Sequence, residues 1–123
     1  MSIQKEDTLD EILRNLLSSI SEINGAAVVS VEGLPIASAL AQGIDETRIA
    51  AMTAAILSLG ERAAQELDKG LLEMIFIRGA KGFLLVMSAG SNAVLVVETT
   101  RDIKLGLVFL DAKRACEKIS RLV

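Results

Sequence analysis

The chain has 123 residues, 13 basic and 16 acidic, and a net charge of -3. This length predicts a single domain over residues 1–123 with a core of its own. The chain has no basic patch, and only 2% of its residues are aromatic and able to stack on bases. Nucleic acid is therefore excluded as the main partner. One cysteine, Cys116, excludes an internal disulfide and a multi-cysteine zinc site, and we expect a cytoplasmic protein with Cys116 in the core. The polar, acidic residues 1–10 do not have the pattern of a secretory signal.

The first predicted helix begins at a capping box formed by Thr8 and Glu11. Its apolar residues recur at spacings of three and four, which is typical of an amphipathic helix; they are Leu9, Ile12, Leu13, Leu16, Leu17 and Ile20. We expect this helix to stop near Asn24-Gly25, because glycine accepts a left-handed terminal conformation at little cost.

A hairpin follows the first helix. Its strands are predicted over residues 26–31 and 34–40, around a tight turn at Glu32-Gly33. Pro35 cannot donate a ladder hydrogen bond, so the second strand of this hairpin should lie at the edge of a sheet.

The central helix, capped by Asp45, has no charge over residues 49–60, although a surface helix normally has a polar side. That run is too short to span a bilayer, which needs about 20 apolar residues, so no membrane insertion is expected. One stripe is predicted to pack on a sheet: Ile49, Met52, Ile56, Leu59, Ala63 and Leu67. Two further stripes are small or apolar: Ala51, Ala55 and Ser58, and Ala50, Ala54 and Leu57. In so short a chain, a second copy of the protein is the expected cover for this helix.

Three apolar runs, residues 71–78, 83–88 and 93–98, predict an antiparallel meander, because the connections between them are too short for the crossover that parallel strands need. The turn Gly79-Ala80-Lys81-Gly82 lacks the spacing of a phosphate loop and joins two strands. A last helix should begin after Asp102, with Cys116 on its buried face.

Several of these strands are apolar on both faces, which predicts a sheet covered on both sides. The fold class is therefore α+β, a three-layer α/β/α domain with a five-stranded antiparallel sheet. Its order is helix-strand-strand-helix-strand-strand-strand-helix, with the first and last helices on one face and the central helix on the other. The strand with Pro35 and the strand over residues 71–78 form the two edges, and the second of these is poorly protected against pairing with another chain.

Two segments resemble the Roadblock/dynein light chain domain family. Residues 25–38, Gly-Ala-Ala-Val-Val-Ser-Val-Glu-Gly-Leu-Pro-Ile-Ala-Ser, are similar to its strand, turn and Gly-Leu-Pro-Ile-Ala signature. Residues 93–97, Asp102 and residues 105–108, followed by a helix rich in Ala, Arg and Lys, resemble its closing segment. The resemblance spans nearly the whole chain and implies a profilin-like fold.

The resemblance also implies a function. Members of this family are homodimers whose central helices pack together and whose third strands join two sheets. They are scaffolds, not enzymes, and bind Ras-like small GTPases, in some cases stimulating hydrolysis, or serve as adaptor subunits. We therefore expect a non-enzymatic homodimer that regulates a small GTPase. The alternatives are a structural adaptor subunit like a dynein light chain, or a small-ligand sensory domain, which the continuous aliphatic interior disfavours because a sensor needs a cavity.

The candidate site residues form two groups, and we predict no catalytic, cofactor-binding or metal-binding residues. The chain has no histidine, the commonest general base. The expected dimer interface comprises Ala51, Ala54, Ala55, Ser58, Arg62, Glu73, Met74, Ile75, Phe76 and Ile77. The expected partner-binding residues are Arg48, Glu61 and Arg62, because the rims of interfaces commonly contain arginine.

Overall fold

Eight elements build the domain in the computed structural model, which describes residues 8–101 and 104–123. In chain order they are α1 (Leu9–Ser19), β1 (Ile23–Ser30), β2 (Pro35–Ala39), α2 (Glu46–Glu66), β3 (Met74–Arg78), β4 (Gly82–Ser88), β5 (Ala93–Thr100) and α3 (Leu105–Ser120). The strands form one antiparallel sheet in the order β2-β1-β5-β4-β3. The predicted element order and both predicted edges, β2 with Pro35 and β3, are therefore confirmed.

Two hydrophobic clusters lie on opposite faces of the sheet, which confirms the three-layer prediction. On one face α1 and α3 pack on alternate strand residues such as Val28, Leu95 and Val97. On the other face α2 packs on the intervening residues, including Val94 and Val96. Both faces of β5 are buried because this strand lies in the middle of the sheet.

The start of α1 is as predicted, but its end is not. Thr8 caps the helix, and its hydroxyl accepts a hydrogen bond from the Glu11 N–H at 3.2 Å. The helix ends at Ser19, six residues before Gly25, because Ile20 is already extended and the Ser19 hydroxyl donates back to the Leu16 carbonyl at 2.9 Å. The prediction of a helix end near Asn24-Gly25 is therefore wrong.

Gly25 instead lies within β1, at an irregularity in the pairing of β1 with β5. A Cβ at this position would lie 3.1 Å from a Glu98 carboxylate oxygen and 3.3 Å from the Ala39 carbonyl oxygen. Glycine is needed here because two neighbouring strands approach the backbone closely, and not because a helix ends.

The face of α2 that packs on the sheet differs from the predicted one. Asp45 caps this helix as expected, accepting hydrogen bonds from the N–H groups of Thr47 and Arg48. However, the residues buried against the sheet are Ala50, Thr53 and Leu57. The predicted sheet-facing stripe lies on the flank and outer side of the helix, and its members Met52 and Leu59 are exposed.

The connections that follow α2 and β5 complete the fold. The backbone reverses after α2 through Asp68 and Gly70, both with positive φ. Asp102, after which the last helix was predicted to begin, lies outside the described residues, and α3 begins at Leu105. In the part of the chain that the structure describes, no helix is long and apolar enough to cross a membrane.

Candidate interaction site

The outer face of α2 is apolar and exposed in the single chain. Met52 and Leu59 expose 52% and 66% of their surface, and the smaller Ala51, Ala55 and Ala63 between and beside them are exposed as well. We call these five residues the α2 outer face. A contiguous apolar surface of this kind on a small domain marks an interaction site.

The flank of α2 beside the β1–β2 turn is already used by the chain itself. A Cβ at Gly33, which has a φ of 95°, would lie 3.1 Å from the Cβ of Ala54. The turn therefore fits against Ala54 only because residue 33 has no side chain. One part of the small-residue surface from which we predicted a contact with a second copy is therefore covered by this hairpin of the same chain. Ala51, Ala55 and Ser58 remain exposed.

The edge strand β3 is the second exposed apolar element. Its residues Met74, Phe76 and Ile77 are between 37% and 40% exposed. The Gly79 N–H donates to the Gly82 carbonyl at 2.8 Å, and hydrogen-bonded pairs alternate along an antiparallel ladder. Ile75 and Ile77 therefore direct their backbone groups at β4, whereas Met74, Phe76 and Arg78 direct theirs away from the sheet.

The two exposed elements lie side by side. Gly60 of α2 lies against Ile75 of β3, and a Cβ at residue 60 would be 3.0 Å from the Ile75 side chain. On the other face, the Phe76 ring stacks on Phe83 with 5.2 Å between ring centroids and meets Phe109 edge-on at 5.9 Å. The C-terminal half of α2 and the strand β3 are thus in contact through Gly60 and Ile75.

The structure distributes the predicted interface residues unevenly. Ala54 and Ile75 are half-buried by their own chain, Ala54 at the hairpin turn and Ile75 beneath Gly60. The others are exposed: Ala51, Ala55, Ser58, Arg62, Glu73, Met74, Phe76 and Ile77.

The three predicted partner-binding charges do not form one cluster. Arg48 and Arg62 are exposed, and fourteen residues of helix put them roughly 20 Å apart along α2. Glu61 is also exposed but lines a cleft at the C-terminal half of α2. The two arginines therefore border the α2 outer face near its two ends, and Glu61 lies beside it.

That cleft is a feature that the sequence did not predict. It has a volume of about 820 Å³ and lies where α2, the start of β3, the β4–β5 turn and α3 meet. Cys116 is one of its walls; desolvation by burial, with a smaller contribution from Glu117, raises the pKa of the thiol to about 12. Cys116 is 7% exposed, so it is a core residue and a poor nucleophile.

Large apolar residues of the α2 outer face, Met52 and Leu59, are absent from the predicted interface. Periodicity could not find them, because every stripe of this helix is apolar or small. Gly60 could have identified the sheet-facing side of the helix. A glycine inside a helix reduces stability by up to about 1 kcal/mol, so its presence indicates that another element packs closely against that side. The stripe with Gly60 contains Ala50, Thr53 and Leu57, the residues that face the sheet.

No group of three or more His, Cys, Asp or Glu side chains that could hold a metal ion occurs in the described ranges 8–101 and 104–123.

Comparisons with known proteins agree with this architecture. The family model for the Roadblock/LC7 domain matches residues 9–99. The uncharacterized protein MJ1340 of Methanocaldococcus jannaschii is 38% identical over 114 residues, which cover 93% of this chain and 98% of that protein. Among solved structures, Myxococcus xanthus MglB has a TM-score of 0.87 at 27% identity, covering 97% of both chains. A Roadblock/LC7 domain from Streptomyces avermitilis has a TM-score of 0.88 at 20% identity, covering 94% of this chain and 98% of that one.

Proposed function

Because the chain belongs to the Roadblock/LC7 domain family, we propose that it is a non-enzymatic homodimeric scaffold that binds and regulates a Ras-like small GTPase. The observation that carries the proposal is the α2 outer face. Met52 and Leu59 are more than half exposed in the single chain, and burying the exposed part of each would contribute about 1–2 kcal/mol. A second copy of the protein has the same exposed face, so a two-fold contact would bury the α2 outer faces of both copies against each other.

The β3 edge supports the same contact and predicts its register. An antiparallel pair of β3 strands centred on Phe76 places Ile75 opposite Ile77 of the second copy and uses the outward backbone groups of Met74, Phe76 and Arg78. It also places Glu73 opposite Gly79, close to Arg78 and Lys81 of the second copy, so opposite charges meet. A shift of the centre to Ile75 would instead put Glu73 opposite Ile77 and shorten the paired segment.

Disulfide trapping tests this register. Phe76→Cys should form a covalent dimer under mild oxidation, because opposed Cβ atoms in such a pair are about 4.5–5.5 Å apart, and a small movement of this edge strand brings them to the roughly 3.5–4.5 Å of a disulfide. Ile75→Cys and Ile77→Cys are the matched controls and should cross-link more slowly, because only the central residue faces its own copy. Native Cys116 can stay, since its buried thiol with a pKa of about 12 reacts slowly.

Non-reducing gels and light scattering measure the outcome. Efficient trapping at residue 75 or 77 in place of 76 would contradict the register. A parent protein with the mass of one chain at micromolar concentration would contradict the homodimer itself.

The GTPase part of the proposal extends from the paired surface to its rim. In a two-fold dimer, Arg48 and Arg62 of both copies border the seam between the α2 helices, and arginine at such rims favours docking of a further protein. The family resemblance supplies the class of partner, a Ras-like small GTPase. The protein itself has no histidine for general base catalysis, which agrees with a regulatory role.

Pull-down with a small GTPase encoded nearby in the genome tests this part of the proposal. The parent protein should retain the GTPase in one nucleotide state more than in the other, and Arg48→Gln, which lies outside the expected dimer interface, should weaken retention severalfold without changing the dimer mass. Lys104→Gln, at the start of α3, is the control with the same loss of charge. Retention in neither nucleotide state by an intact dimer would contradict GTPase binding and favour a structural adaptor.

A further inference from the structure

The cleft beside α2 has the size and lining of a small-molecule site. Its volume of about 820 Å³ lies within the range of about 300–1,000 Å³ that is usual for such sites. It extends around the end of the sheet, so its apolar walls come from both hydrophobic clusters: Leu57 and Val94 from the α2 side, Met87 and Cys116 from the α3 side. Methionine and cysteine side chains adapt to the shape of an apolar ligand.

The one basic and two acidic side chains that line this cleft lie on different elements. Lys113 is the only lysine or arginine among the lining residues, and it is on α3, one turn from Cys116. Glu61 is on α2, which covers the opposite face of the sheet, and Glu73 lies just before β3. The α3 side of the cleft therefore combines apolar walls, Met74, Met87 and Cys116, with one cation at its rim.

We propose that the α3 side of the cleft binds an aliphatic chain that ends in a carboxylate. The chain lies over Met74, Met87 and Cys116, and the carboxylate lies at Lys113. A ligand with an uncharged head would lose the ion pair with Lys113, and a ligand with a cationic head would be repelled there. This site is separate from the α2 outer face, and it adjoins the proposed dimer contact at Glu73 and Met74.

Isothermal titration with three probes that each have a ten-carbon chain, used below their micelle concentration or, for decanol, below its solubility limit, tests the ligand class. Decanoate should bind most tightly, decanol more weakly and decyltrimethylammonium weakest. Lys113→Gln should lower the affinity for decanoate about fivefold, the value of an exposed ion pair, and leave decanol unchanged. Lys104→Gln removes the same charge outside the cleft and should change neither affinity.

A blocking variant tests the location. Ser88 lines the cleft and is exposed, so Ser88→Trp should fill its mouth and reduce binding of decanoate at least tenfold while the protein melts like the parent. Ser18→Trp, at an exposed position of α1, is the control and should bind normally.

The proposal fails if none of the three probes binds, or if Ser88→Trp binds decanoate as the parent does. It also fails if decanol or decyltrimethylammonium binds as tightly as decanoate, or if Lys113→Gln leaves decanoate binding unchanged. Dimer mass and GTPase retention are measured separately, so failure here is distinguishable from failure of the proposed function.

Discussion

Ala55→Glu is expected to convert the protein from a dimer to a monomer at micromolar concentration. Ala55 lies on the exposed α2 outer face, so a glutamate there is hydrated in the single chain and the chain should still fold. In the two-fold contact the same carboxylate is buried without a partner, once in each copy, which costs about 3–5 kcal/mol. The dimer dissociation constant should rise at least a hundredfold.

Light scattering gives the mass, and far-UV circular dichroism shows whether the helices are retained. Ala41→Glu introduces the same charge at an exposed loop residue before α2 and should leave the dimer intact. A dimer mass for Ala55→Glu equal to that of the parent would place the contact between copies on another surface.

Gly82→Ala is expected to destabilise the domain by about 3 kcal/mol or more, beyond the usual cost of overpacking. Gly82 begins β4 and pairs with Thr100, and an added Cβ would overlap the backbone carbonyl oxygen of Thr99. No side chain can move aside to relieve this overlap, so β4 and β5 must separate locally. The melting temperature should fall by roughly 10 °C.

Gly79→Ala is the matched control, because it changes the other glycine of the same hairpin. Its added Cβ would lie 3.4 Å from the Gly82 carbonyl oxygen, an ordinary contact, so its melting temperature should stay within a few degrees of the parent. Equal melting of the two variants in thermal denaturation would show that the sheet accommodates a side chain at residue 82.

Patterns that depend on neighbouring residues were predictable from the sequence. Pro35 placed its strand at an edge because a missing N–H excludes it from the interior of a sheet. Alternating Val94, Leu95, Val96 and Val97 are apolar at every position, which required helices on both faces. Thr8 and Glu11 marked the start of α1 because their capping geometry is local.

Features that depend on distant residues were not predictable. Gly25 looked like a helix end, but its role is set by Glu98 and Ala39 on the two strands beside it. The orientation of α2 could not be read from its apolar stripes, because they compete and only the position of the sheet decides between them. The cleft forms where α2, the start of β3, the β4–β5 turn and α3 meet, and no local residue pattern predicts how such distant segments come together.

The central place of β5 in the sheet also has a kinetic consequence. β1 joins β2 on one side but needs β5 on the other, and β5 is the last strand to be synthesised. The N-terminal hairpin therefore leaves the ribosome with one edge of β1 unpaired, and that edge stays unpaired until residues 93–100 have been synthesised. Nascent chains that stop before β5 should be captured by chaperones, and productive folding should begin only when that strand emerges.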